Sequence, residues 1–128
     1  VHTDNMATLL KAKGVEPVAP TVEAPPAGKT AQYLKLALSS ESVETESMYP
    51  AFAQKAELEQ DSVAAQMFKQ TLESDARHGR LLKRAMEQET NISKLPYMMC
   101  PKCGYIIGSD KDEECRVCKA KKETFKKL

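Results

Sequence analysis

Four cysteines fall within nineteen residues near one end of the chain: Cys100 and Cys103, then Cys115 and Cys118, two C-x2-C pairs separated by eleven residues. Cysteines three apart are poorly placed to bridge each other, but they suit two thiolates on one tight turn. Two such turns facing each other make a tetrahedral all-thiolate metal site. The segment that carries them has little to bury beyond Tyr97, Tyr105, Ile106, Ile107, Val117 and Phe125. A unit this small needs a metal or disulfides to be ordered. Nothing in the sequence indicates secretion, so a metal is the expected staple.

Thiolate tetrahedra hold zinc and iron equally well, and the abundance of zinc ribbons favours zinc on spacing alone. A zinc ribbon would offer its lysines (Lys119, Lys121, Lys122, Lys126, Lys127) to nucleic acid or to a protein partner, unless they simply form a solvated rim. The whole chain argues against nucleic acid. Its 128 residues carry a formal net charge of only +1, and no run of aromatics accompanies the lysines. No apolar stretch approaches the ~18 residues of a membrane span and no leader pattern opens the chain, so a cytoplasmic location is expected. The small net charge conceals a division. Residues 1–29 balance at zero, residues 30–92 sum to −3, and residues 93–128 sum to +4. An acidic middle and a basic end suggest modules that attract each other or another copy.

Upstream, residues 5–13 suit a short helix, with Asp4 as N-cap, Gly14 as stop and Met6, Leu9 and Leu10 on one side. Gly14 to Lys29 holds Pro17, Pro20, Pro25 and Pro26 and reads as a stiff, extended connector. A helical period then runs over 31–57, with Thr30 as its cap. Its inward stripe is Leu34, Ala37, Leu38, Glu41, Glu44, Met48, Phe52 and Ala56. Pro50 inside that pattern predicts a lost hydrogen bond or a bend. After a turn at 58–61, a second helix over about 62–88 shows the stripe Ala64, Phe68, Thr71, Asp75, His78, Leu82 and Ala85. Glu73, Arg77 and Arg80 fall on its opposite, solvated side.

Both stripes are thus ionisable at their centres. Two helices joined by a short turn pack antiparallel, which brings Glu41 and Glu44 opposite Asp75 and His78. Unpaired charges on a buried face cost several kcal/mol each, about that order, so something must compensate them. A carboxylate–histidine polar core is one solution. The other is metal, because carboxylates facing a carboxylate-x-x-His pair are how four-helix bundles hold two iron or manganese ions. One hairpin cannot bury its own apolar face, so a homodimer or higher homo-oligomer is expected to complete the bundle.

Together these residues resemble the rubrerythrin family. The carriers are Glu41-Ser-Val-Glu44, Met48-Tyr49-Pro50-Ala-Phe52-Ala53, Phe68, and Asp75-Ala-Arg-His78. They are followed by Tyr97-Met-Met-Cys100-Pro-Lys-Cys103-Gly-Tyr105 and Glu114-Cys115-Arg-Val-Cys118. The similarity covers roughly 30–128, and the proline-rich connector looks like the family's crossover between helix pairs. The resemblance implies a mainly α fold: a ferritin-like helical hairpin (30–92) forming a four-helix bundle by dimerisation, preceded by a short helix and connector (1–29). A rubredoxin-like four-cysteine metal domain (97–128) follows.

Carried over by position, Glu41 and Glu44 match metal-ligand glutamates, His78 a ligand histidine, and Asp75 the partner of that histidine in a dimetal site. Tyr49 matches a tyrosine that hydrogen-bonds a ligand carboxylate, and Cys100, Cys103, Cys115 and Cys118 match ligands of a rubredoxin-like iron. Iron then replaces zinc as the expected metal, one tetrathiolate iron per chain plus a di-iron site in the bundle. The implied activity is a non-haem iron peroxidase that reduces hydrogen peroxide to water. Its electrons would come from rubredoxin or an NAD(P)H-dependent reductase, with no nucleic acid or membrane involved. The alternatives are an electron-transfer or docking subunit with only the four-cysteine iron in place, or a zinc-ribbon binding module.

The chain departs from the family pattern in three respects. Asp75 stands where a bridging glutamate is usual and reaches about one methylene less. Lys119 follows Cys118 where rubredoxins usually place glycine, which relieves backbone strain there. The family's first helix and most of its second have no counterpart. Val1-His2 looks like the tail of that second helix, so His2 is either a remnant ligand histidine or a solvated terminal side chain.

Overall fold

The computed structural model describes residues 1–19, 21–25, 28–87, 97–108 and 113–128. Helix α1 spans His2–Ala12 and stops at Gly14, whose φ of 76° is open to a residue without a Cβ. It starts earlier than its sequence signals suggest. Val1 occupies the cap position, and Asp4 lies in the first turn, 3.4 Å from the terminal ammonium. The described part of the connector forms neither helix nor strand and leaves Val18 and Val22 exposed.

Helix α2 runs Thr30–Val43. Thr30 is its first residue and not its cap. The Lys29 backbone amide instead donates to Gln32 Oε1 at 2.7 Å. At Glu44–Met48 the helix widens into a π turn before α3, Tyr49–Leu58. The defect announced by Pro50 is therefore an inserted residue. Pro50 sits in the first turn of α3, where it needs no donor, and the Tyr49 amide reaches back to the Glu44 carbonyl. Hydroxyls of Thr45 and Ser47 donate to the carbonyls of Glu41 and Val43, at 2.7 and 2.9 Å, easing the irregular ladder. The insertion shifts the inward face of the turn that follows it, and Ala56 stays inward as expected. Tyr49, Ala53 and Ala56 are buried, while Phe52, expected inward, is 44% exposed.

Helix α4, Ser62–Glu87, follows a tight turn in which Gln60 has a φ of 58°. Asp61 caps it, accepting the Ala64 amide at 3.1 Å. The α4 stripe agrees with the periodicity: Ala64, Thr71 and Asp75 are buried, joined by Ala65 and Ser74. α2 and α3 both pack along α4, and α1 lies against it with Leu9 beside Ala56, Ala64 and Ala65. Among the described residues no helix is long and apolar enough to cross a membrane.

The cysteine segment forms a three-stranded antiparallel sheet. Its central strand β1 (Met98–Met99) pairs with β2 (Ile106–Ile107) and β3 (Lys126–Lys127). Its core is the four cysteines with Ile107 and Phe125, flanked by Met98, Tyr105, Val117 and Ala120. The fold is mainly helical, a ferritin-like hairpin with a small rubredoxin-like sheet.

Candidate metal centres

Each cysteine pair sits on a knuckle closed by the same two backbone bonds. In the first, the Cys100 amide donates to the Tyr105 carbonyl and the Gly104 amide to the Cys100 carbonyl, both at 2.9 Å. In the second, Cys115 donates to Ala120 at 2.7 Å and Lys119 to Cys115 at 3.0 Å. The fifth residue of each must turn left-handed, and Gly104 and Lys119 do so with φ of 77° and 60°. The four sulfurs converge, with Cys100–Cys118 and Cys103–Cys115 separations of 3.5 Å. A tetrahedron with metal–sulfur bonds of about 2.3 Å has edges of about 3.8 Å, so the quartet fits one ion with a small expansion. Burial pushes the thiols of Cys103 and Cys118 up, Cys118 to about 11. For Cys115, burial pulls the same way but is outweighed by amide donors from Cys118 and Val117, and the net shift is downward. A cation in the centre would hold all four as thiolates.

The second cluster lies in the hairpin. Oxygens of Glu41, Glu44 and Asp75 lie within 4.8 Å of one another, and so do ligand atoms of His2, Asp75 and His78. Asp75 belongs to both groups: its Oδ1 is 3.3 Å from His2 Nε2 and 3.2 Å from His78 Nδ1. Glu41 Oε1 is 3.4 Å from the same His78 nitrogen. Desolvation, then the charge of Asp75, raises Glu41 to about 7, and Glu44 rises for the same reasons. Tyr49, buried against Phe68 and Phe52, is pushed to about 12 by burial and by Asp75, Glu44 and Glu41. His2 is lowered, chiefly by burial. Burial also pulls His78 down, but Asp75, the Gly104 carbonyl and Glu41 together leave it raised.

Three buried atoms here have no hydrogen-bond partner: Glu41 Oε2 and both ring nitrogens of His2. Orphaned donor atoms beside crowded carboxylates are what a metal site leaves when its cation is taken away. The residues present fit a carboxylate–histidine metal centre. The solvated reading of His2 is overturned, since its side chain is only 22% exposed and meets Asp75.

The two clusters touch through α4. His78 Nε2 donates to the Gly104 carbonyl at 3.0 Å, which turns Nδ1 toward the carboxylates, a donor to them when the ring is charged and a ligand atom when it is neutral. Ser74 Oγ donates to the Cys103 carbonyl at 2.6 Å and Arg77 Nε to that of Ile106 at 3.0 Å. From α1, Asn5 Nδ2 donates to the Lys102 carbonyl at 2.7 Å. Arg77 is therefore not part of a solvated face. The apolar period gives no sign of Ser74 or Asn5, although Ser74 flanks the stripe beside Asp75 and sits three residues before Arg77.

Comparison with known proteins agrees with this geometry. A family model described as Rubrerythrin matches residues 1–86. The chain is 33% identical over 106 residues to nigerythrin of Nitratidesulfovibrio vulgaris (strain Hildenborough), an alignment covering 83% of this chain and 52% of that protein. It is 29% identical to rubrerythrin-2 of Clostridium acetobutylicum, covering 72% of this chain and 52% of the relative. Rubrerythrin of Porphyromonas gingivalis is 33% identical, covering 71% and 48% respectively. The chain thus spans about half the length of the curated relatives it matches. Solved structures of nigerythrin superpose over 99% of this chain and 63% of theirs at 29% identity. The fully reduced, all-ferrous state gives a TM-score of 0.90 and a partially reduced state 0.91. With the family match extending over more than half of the sequence, this chain belongs to the rubrerythrin family.

Proposed function

We propose that the chain works as a rubrerythrin-type non-haem iron peroxidase, reducing hydrogen peroxide to two waters with two electrons and two protons. The observation that carries this reading is His78, which faces Glu41 and Asp75 with one ring nitrogen and the Gly104 carbonyl, next to Cys103, with the other. One side chain therefore links the two clusters. Iron, the metal of this family, supplies one-electron transfer when bound by Cys100, Cys103, Cys115 and Cys118, and reduction of the O–O bond when bound by Glu41, Glu44, Asp75 and His78. His2 adds a further nitrogen beside Asp75.

The protein's own residues orient and enclose. The Gly104 carbonyl holds the His78 tautomer, and Ser74 and Arg77 keep the first knuckle seated on α4. Tyr49 keeps its proton at neutral pH and, with Phe52 and Phe68, forms an aromatic wall beside the carboxylates. In this reading Tyr49 hydrogen-bonds a ligand carboxylate. A second copy completes the bundle, consistent with Tyr33, Leu36 and Val43 left exposed along α2. Residues 30–92 form the bundle unit and 97–128 the electron-accepting unit, fed in the cytoplasm by rubredoxin or an NAD(P)H-dependent reductase.

A second reading, an electron-transfer subunit with only the tetrathiolate iron, is favoured by the short reach of Asp75. Iron analysis of the purified protein with a peroxide-consumption assay separates the two. More than one iron per chain with peroxide turnover supports the peroxidase, and one iron per chain without turnover removes it. A colourless protein with one zinc per chain would select the zinc ribbon.

A further inference from the structure

Gly104, the residue after Cys103, meets both histidines of the hairpin cluster. Its carbonyl accepts from His78 Nε2 at 3.0 Å, and its Cα faces His2 so closely that an added Cβ would lie 2.7 Å from His2 Nε2. Three further bonds join the same stretch of the first knuckle to residues that flank the cluster. Asn5, one turn after His2 on the same side of α1, donates to the Lys102 carbonyl. Ser74, next to Asp75, donates to that of Cys103, and Arg77, next to His78, to that of Ile106. These contacts exist only while the knuckle is formed. The interior of the cysteine unit is the four cysteines with Ile107 and Phe125, too little apolar surface to fold without a metal. With that unit unfolded, His78 loses the acceptor that sets which nitrogen of the neutral ring carries the proton. His2 loses the backbone packed on its ring, and Asp75 is left as the neighbour of both. The far end of α1 stays held by Leu9 against Ala56, Ala64 and Ala65 and by Lys13 on Asp61, so the loss falls on the end that carries His2.

We infer that Gly104 is a positioning residue for the carboxylate–histidine centre, so that a metal on the four cysteines tightens the binding of a divalent ion among His2, Asp75 and His78. The knuckle acts through the two imidazoles and touches the ion nowhere. Asn5 and Arg77 serve the same end by holding the knuckle against α1 and α4. Outer contacts of this kind change the affinity of a metal site about tenfold to a hundredfold. Linkage makes the effect mutual: an ion in the hairpin tightens the cysteine site by the same factor. The two sites are therefore filled together or left empty together at limiting metal. The inference rests on the two metal centres of the proposed function and not on its peroxide chemistry.

The test uses the full chain with reduced thiols and metals that separate the two sites. One equivalent of zinc fills the thiolate site, and Mn(II), which suits carboxylates, reports on the hairpin through loss of the free-ion EPR signal. The dissociation constant of Mn(II) should fall about tenfold or more once zinc is bound. In the reverse direction Co(II) binding, read from its thiolate charge-transfer band, should tighten by the same factor under saturating Mn(II). The double variant Asn5→Ala/Arg77→Met leaves every ligand in place. In it the zinc effect should shrink about threefold or more, while Mn(II) binding to the zinc-free chain stays as in wild type. A loss of Mn(II) affinity that is equal with and without zinc would mark a merely structural role and overturn the proposal. So would equal Mn(II) constants with and without zinc in wild type, or weaker Mn(II) binding with zinc, the sign of competition for one site. Peroxide turnover by the iron-loaded chain is recorded separately. Coupling without turnover would remove the peroxidase reading and leave this inference standing, and turnover without coupling would do the reverse.

Discussion

Placing a methyl group on Gly104 tests how tightly the two centres are joined. Gly104 has a φ of 77°, a conformation that costs an L-residue about 1–2 kcal/mol. The added Cβ would also lie 2.7 Å from His2 Nε2, closer than any carbon–nitrogen contact can be held, so the imidazole must move. That motion separates His2 from Asp75, whose side chain is 4% exposed, and a buried carboxylate that loses a neighbour costs about 1–3 kcal/mol more. Gly104→Ala should therefore destabilise the iron-loaded protein by about 2–5 kcal/mol, read from loss of ferric–thiolate absorbance in denaturant. In a His2→Ala background the steric part vanishes and the cost should fall to the backbone part, a coupling of about 1–3 kcal/mol. Equal costs in the two backgrounds would mean that His2 is not packed on the knuckle. Lys119→Gly is the mirror experiment. It relieves a left-handed lysine at the cost of one exposed ion pair with Glu114, so a gain of up to about 1 kcal/mol is expected by the same assay.

Ser74→Ala leaves the buried Cys103 carbonyl without its 2.6 Å partner, costing about 1–3 kcal/mol, and should slow electron passage between the centres while leaving iron content unchanged. Single-turnover oxidation by peroxide reads it. Glu41 gives a pH dependence. Its carboxyl is raised from 4.5 to about 7 in the folded chain, so the metal-free fold holds the proton more tightly than the unfolded chain does. Stability of the metal-free protein should then fall as pH rises from about 4.5 through 7, measured by urea titration, and metal binding should release a proton below pH 7. Removing Thr45 should straighten the π turn, turn Tyr49 out of its buried position and abolish metal uptake by the carboxylate cluster without bleaching the tetrathiolate.

The residues that converge in both clusters were legible because they are written in local periods. Two C-x2-C pairs define two turns, and carboxylates at 41, 44 and 75 with His78 interrupt otherwise apolar stripes. Pro50 announced a defect, but whether a helix bends or takes in a residue depends on what satisfies the freed carbonyls. Here Thr45 and Ser47 hydroxyls and the Tyr49 amide do so, and Phe52 moves off the inward face. The docking of the ribbon on α4 was not legible. Ser74 and Arg77 look like an ordinary helix flank until the Cys103 and Ile106 carbonyls, 29 residues away, arrive to accept from them. Likewise His2 reads as a frayed end, and only the packing of α1 on α4 buries it against Asp75.

In the proposed function one side chain, His78, joins an electron-accepting tetrathiolate to a peroxide-reducing carboxylate–histidine centre. The direct measurement is stopped-flow mixing of the reduced, iron-loaded chain with hydrogen peroxide while the ferric–thiolate colour returns, in wild type and in His78→Ala. Rapid recovery of colour is expected in wild type and a loss of about a hundredfold or more in the variant, with the tetrathiolate iron still in place. Recovery at the same rate in both proteins would mean that the tetrathiolate is oxidised without the hairpin, and would contradict that role of His78.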